Sequence, residues 1–118
     1  MYKSTTQKVK EIRDELKKQF PDSKFSVTKR HSNGVMIRIM AAPLDLVDGR
    51  EAEGRSINHY YIKENYSGEV AEYLQRIADI ASSQVKTTYE TADYGYQPDF
   101  YVNIEVGDFG RPFVHLKK

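Results

Sequence analysis

The sequence predicts an α+β fold: two helices packed on one face of a small antiparallel sheet, in the order α-β-β-α-β. Three observations predict it. Segments 4–20 and 67–83 repeat apolar residues at helical spacing. Asn33-Gly34 joins two segments, 24–31 and 35–40, with apolar residues at alternate positions. A third alternating segment, 99–106, follows the second helix. Helices with one apolar stripe and strands with one apolar face bury both by stacking in layers.

In the first helix Val9, Ile12, Leu16 and Phe20 fall on one face, at spacings of three and four. Ser4 and Gln7 match a capping box, in which each side chain satisfies a backbone N–H of the other. Lys8, Lys10, Arg13, Lys17 and Lys18 cover the remaining faces. Phe20-Pro21 ends the helix, because proline pushes the preceding residue out of the α region.

The first strand runs from Lys24 to His31, with Phe25 and Val27 on one face. Ser32-Asn33-Gly34 is the turn, since Asn and Gly tolerate the positive φ of a type I′ hairpin. In the returning strand Val35, Ile37 and Ile39 alternate with Met36, Arg38 and Met40, so the second face is expected to be partly covered. Residues 41–58 are expected as a loop, broken by Pro43, Asp45, Asp48, Gly49 and Gly54 and pinned by Leu44, Leu46 and Val47. A loop of that length is often functional or mobile. His59 to Ile62 is expected as a short strand.

The second helix starts at Ser67, an N-cap residue, with Glu69 complementing the dipole. Its stripe is Val70, Leu74, Ile77 and Ala81, widened by Tyr73 and Ile80. Residues 86–98 are irregular. Beyond them Phe100, Val102, Ile104 and Val106 share one face, and Tyr101, Asn103 and Glu105 the other. This strand is expected to pair with the hairpin. Residues 107–110 turn, and Phe113 to His115 supply one more edge strand.

The 118 residues fit one domain, 1–118, and 39% hydrophobic with 30% charged residues is usual for a globular chain. The absence of cysteine excludes disulfides and thiolate metal sites and suits the cytoplasm. No apolar run approaches the ~20 residues of a membrane span. Met1 to Ser4 leads directly into a charged helix, so no secretory leader is expected. The net charge of +1 hides an asymmetry: residues 1–40 carry +6 and residues 41–118 carry −5. The basic half either attracts an anionic partner or is neutralised by the acidic half within the fold.

Catalytic motifs are absent. His31, His59 and His115 stand at no metal-ligand spacing, and neither a metal nor a cofactor is expected. His59, Tyr61 and Glu64 are the nearest approach to an acid/base set, with no activated nucleophile beside them. Asp108-Phe109-Gly110 spells the kinase metal-binding triplet without the glycine-rich or catalytic loops, so it reads as a turn.

Tyrosine is the unusual feature, with nine residues. Tyrosines on a sheet face or loop stack on bases or anchor a protein partner. The candidate partner-binding residues are Lys29, Arg30, Arg38, Tyr60, Tyr61, Tyr94, Tyr96 and Tyr101. Glu90, Asp93, Asp99 and Glu105 lie among the later tyrosines and repel phosphates, which favours a protein partner over nucleic acid.

The run from Leu16 through Phe20-Pro21 to Phe25-Ser26-Val27, followed by a glycine turn and Ile37-Arg38-Ile39, resembles the opening of the twenty-ninth large polyvalent protein associated domain family. Tyr94, Phe100-Tyr101-Val102, Ile104 to Gly107 and Arg111-Pro112-Phe113 resemble its ending. Met40-Ala41-Ala42-Pro43 departs from it, where family members often carry Trp and a Gly-Pro step. The resemblance implies a phage or conjugative-element setting and carries no catalytic residues. The expected function is a non-enzymatic, accessory or anti-defence module that binds a host protein or protein–nucleic-acid complex. The alternative is a nucleic-acid-binding domain built on the first helix and hairpin.

Overall fold

The computed structural model describes residues 4–31, 33–47, 49–84, 87–88, 97–98 and 100–116. Its elements are α1 (Thr5–Gln19), β1 (Lys24–Arg30), β2 (Gly34–Ala42), β3 (Arg55–Ile57), α2 (Ile62–Asn65), α3 (Gly68–Ser82), β4 (Thr87–Thr88), β5 (Gln97–Pro98), β6 (Tyr101–Val106) and β7 (Val114–His115). The α+β class and the element order follow the expectation, with β7 as the added edge strand.

Helix α1 begins where Ser4 Oγ accepts the Gln7 N–H at 3.1 Å, the Ser4 half of the capping box. Lys17 and Lys18 oppose the negative end of its dipole. Val9, Ile12 and Leu16 are buried as the spacing requires. Lys8 is buried as well, its Nζ 5.0 Å from the centre of the Phe100 ring. In α3 the buried set is Tyr73, Leu74, Ile77, Ala78 and Ala81. Ser67 occupies the N-cap position, but its side chain makes no capping bond.

The main sheet has the order β1-β2-β6-β3, and β7 pairs with the end of β2. It is mixed rather than wholly antiparallel. β1–β2 and β6–β3 are antiparallel, whereas β2–β6 and β2–β7 are parallel. The connection explains the difference. The chain between β2 and β6 includes α3, and such a crossover returns it to the end from which β2 started.

Val27, Ile37, Ile104 and Ile57 form one cross-strand row through β1, β2, β6 and β3, all buried. Both long helices join this row in a single apolar cluster. Phe20 meets Phe25 and Tyr73 edge-on, with ring centres 6.0 and 5.0 Å apart. Each fully buried Ile or Leu stabilises by roughly 1.5–3 kcal/mol, so this cluster holds the layers together. On the other face Met36 is buried and Met40 half-buried, as the two methionines imply.

Local structure departs from expectation in four places. Arg30 pairs with Gly34, so β2 already begins at the expected turn residue Gly34, and His31 takes a left-handed φ of +56°. Glycine is needed at 34 for close approach: a Cβ there would lie 3.0 Å from the Arg30 carbonyl oxygen and 3.2 Å from that of Tyr101.

The second departure is the strand expected at His59–Ile62, which lies instead at Arg55–Ile57. Asn58 ends it, because its Oδ1 accepts the Tyr60 N–H and its carbonyl accepts the Tyr61 N–H, each at 3.0 Å. Residues Ile62–Asn65 then form one helical turn.

The third is the loop before β3, which is tied down by more than its apolar residues. Leu46 is buried, and Leu44, Val47 and Ala52 pack against the core. Arg55 donates to the carbonyls of Leu46 and Glu51, at 2.6 and 2.8 Å. Arg50 donates to the Asn65 carbonyl at 2.9 Å and lies over the Tyr66 ring. Within 86–98, read as irregular, β4 and β5 pair as a two-stranded sheet.

Candidate functional site

The site begins with a strand edge. β3 pairs with β6 only from Ile104 to Val106, because the Asn58 turn leads the chain away. The Tyr101 N–H donates to the Asn33 carbonyl and the Gly107 N–H to that of Ile39, each at 2.9 Å. Odd-numbered residues of β6 therefore point their backbone groups at β2. Even-numbered ones point the opposite way, as the Val106 carbonyl shows by accepting the Gly54 N–H at 3.0 Å. Val102 thus directs its N–H and C=O out of the sheet. Among the described residues no strand pairs with it there.

A groove of about 450 Å³ runs along this edge. His59 and Tyr60 line it from the Asn58 turn, Ser82 from α3, Phe100 from just before β6, and Tyr101 to Asn103 from β6. The His59 and Tyr60 rings are tilted against each other, with centres 4.2 Å apart. Burial lowers the His59 pKa below its usual 6.5, so the imidazole is neutral at pH 7. Tyr60 is 78% exposed and Tyr101 51%. The arrangement offers aromatic faces, a neutral imidazole and an open pair of backbone groups, all of which are binding groups.

Of the residues expected to contact a partner, Tyr60 and Tyr101 meet in this groove. Tyr61 is 55% exposed beside Tyr60 but does not line it. Arg30 lies in one cross-strand row with Gly34 and Tyr101, and Lys29 in the next row with Val35 and Val102. Both cations are exposed at the hairpin end. Arg38 is elsewhere and occupied: its Nε is 3.3 Å from Glu105 and 3.3 Å from Asp108. Part of the basic half is therefore neutralised by the acidic half within the fold. Tyr94 and Tyr96 lie outside the described residues.

His59 lines the groove, whereas Tyr61 and Glu64 do not, so the expected acid/base set is not assembled there. His31 sits at the hairpin loop and His115 on β7. Among the described residues no three His, Asp or Glu side chains are grouped to hold a metal ion, and no helix is long and apolar enough to cross a membrane. Asp108 to Arg111 is a turn, with mutual 2.9 Å bonds between their backbones and Phe109 91% exposed at its tip. The open edge at Val102 was not read from the sequence; Asn58, a turn former directly after β3, was its only local signal.

No curated protein and no solved structure matches the chain. The model of large polyvalent protein associated domain 29 matches residues 3–101. That span contains both long helices, the hairpin and the His59–Tyr60 turn, and it ends at the first residue of β6; the chain therefore belongs to the large polyvalent protein associated domain 29 family.

Proposed function

We propose that this domain is a non-enzymatic interaction module of a phage or other mobile element, binding a host protein or protein–nucleic-acid complex through the Tyr60–Tyr101 groove. The observation that carries this reading is the convergence of two exposed tyrosines on an open strand edge. Tyrosine supplies a large apolar face and a polar tip for little conformational entropy, and it is enriched at interfaces. Family membership supports the setting, since these domains are associated with large polyvalent proteins. An accessory or anti-defence role follows where the bound protein belongs to host defence.

The nucleic-acid reading draws on Arg30 and Lys29 standing in register with Tyr101 and Val102. It loses Arg38, whose charge is matched by Glu105 and Asp108. A photo-crosslinking residue placed at 60 or at 101 in the full chain tests the proposal in host lysate. The same protein is expected from both positions and not from a control at Glu69. Capture of nothing above background, or of nucleic acid alone, overturns it.

A further inference from the structure

We propose that the groove receives an extended, acidic polypeptide segment, which adds to the sheet as a strand beside Val102. This rests on the groove being a partner site and names the chemistry of the partner. The first argument is hydrogen-bond complementarity. Val102 presents one donor and one acceptor out of the edge. An extended peptide answers both at strand spacing, whereas a DNA backbone offers acceptors for the N–H and no donor for the carbonyl. The second is shape. Tyr60 and Tyr101 border the groove beside that backbone pair, so an added strand places side chains against their rings.

The third argument is charge complementarity. Lys29 shares the row of Val102, and Arg30 shares the row of Tyr101. Each stands two strand spacings from β6 and so three, roughly 14 Å, from the added strand. Their long side chains therefore meet acidic residues that run past the end of that strand across the hairpin end, and not those opposite Val102. Both are exposed, and neither forms an ion pair among the described residues. Gly34, between Arg30 and Tyr101, has no side chain to separate them. Acidic residues flanking the added strand are thus attracted to the hairpin end of the sheet.

Random dodecapeptides displayed on yeast and selected against the full chain test this. Enrichment of peptides that alternate β-branched and acidic residues is expected. The synthetic consensus peptide should bind at least tenfold more weakly to the exposed double variant Lys29→Glu/Arg30→Glu. N-methylation of one central peptide residue should cost at least tenfold. Val102→Pro removes the outward N–H and leaves the β2 ladder intact; should it not fold, the N-methyl series still decides. Neutral or basic consensus peptides, a flat N-methyl series, or tighter binding of a 20-nucleotide oligo-dT that displaces the peptide each overturn the proposal. Should no peptide be enriched while crosslinks from 60 and 101 still identify one protein, strand addition falls and the interaction module stands.

Discussion

Arg38 holds its Nε 3.3 Å from the Asp108 carboxylate, tying the middle of β2 to the turn that follows β6. Glu105 stands at the same distance on the same nitrogen. The three side chains are only 19–28% exposed, so the pair is screened less than a surface pair. Replacing Arg38 by Met keeps the hydrocarbon stem and leaves two carboxylates facing each other. The expected loss is about 1–3 kcal/mol by urea unfolding. Adding Glu105→Gln should restore part of it, because the two sites are coupled. Full additivity would show that the ion pair carries no coupling energy.

The same turn predicts an acid dependence. The Phe109 N–H at 2.8 Å, then the Arg111 side chain, and then the charges of Arg38 and Arg111 favour the Asp108 carboxylate and lower its pKa from 3.8. A depressed folded pKa contributes stability that is present above the unfolded value and lost as pH falls through the folded one. Unfolding midpoints should therefore fall as pH drops below about 4, and Asp108→Asn should flatten that slope. Identical slopes for both proteins would remove Asp108 from the acid response.

Among the described glycines, Gly107 is the least able to accept a side chain. Its φ is +71°, and a Cβ would lie 1.9 Å from the Ala52 carbonyl oxygen and 2.8 Å from the Phe113 nitrogen. Both obstacles are backbone, joined by the Phe113 N–H to Ala52 C=O bond at 2.8 Å. Gly107→Ala must break that bond or shift the loop, at an expected cost of about 3 kcal/mol or more. Gly110, with φ +82° and nothing within 4 Å, carries only the conformational penalty. Gly110→Ala should cost about 1–2 kcal/mol, so thermal melts of the two variants should differ clearly.

What could be read from the sequence was whatever a local period encodes. Alternation assigned Val27, Ile37 and Ile104 to the buried face, because a period of two leaves no other choice once one face is apolar. The stripe of α1 was equally plain, apart from Lys8, whose burial depends on Phe100 from the far end of the chain. Strand direction was not readable, since a helical crossover and a hairpin leave the same alternation in β6. Ile57, the fourth member of the core row, was missed because β3 is only three residues long. Tyr60 and Tyr101 were singled out as residues, but their meeting depends on the Asn58 turn and on where β3 stops, which are tertiary facts. Arg38 was read as a candidate partner-binding residue, and its ion pairs were not foreseen because Glu105 and Asp108 are 67 and 70 positions away in sequence.

Arg55 staples the loop between β2 and β3. Its guanidinium bonds two carbonyls, those of Leu46 and Glu51, and lies 3.4 Å from the Tyr66 hydroxyl. Lysine retains the charge but lacks the planar fork that serves both carbonyls at once. Arg55→Lys is expected to cost about 1–3 kcal/mol. It should also speed amide hydrogen exchange over residues 44–54 ahead of the core strands. Unchanged exchange in that loop would mean that Leu46 and Val47 hold it without the arginine.

Tyr73 predicts the alkaline limit of the fold. Its ring packs on Phe20, and its hydroxyl lies 2.7 Å from Ser23 Oγ, which joins α3 to the start of the sheet. Burial raises its pKa to about 12, against the opposing hydrogen bond from Ser23. A raised folded pKa contributes stability that is complete below the unfolded value of 10.0 and lost as pH rises through the folded one. The folded chain should therefore lose stability between pH 10 and about 12, as the unfolded state gives up a proton that the folded state keeps. Tyr73→Phe removes that proton and should flatten the decline, while losing the link to Ser23 at every pH. Ultraviolet titration of the native protein should show one phenol ionising late, together with unfolding. Its early ionisation in a chain that stays folded would show the α3 hydroxyl to be open to water.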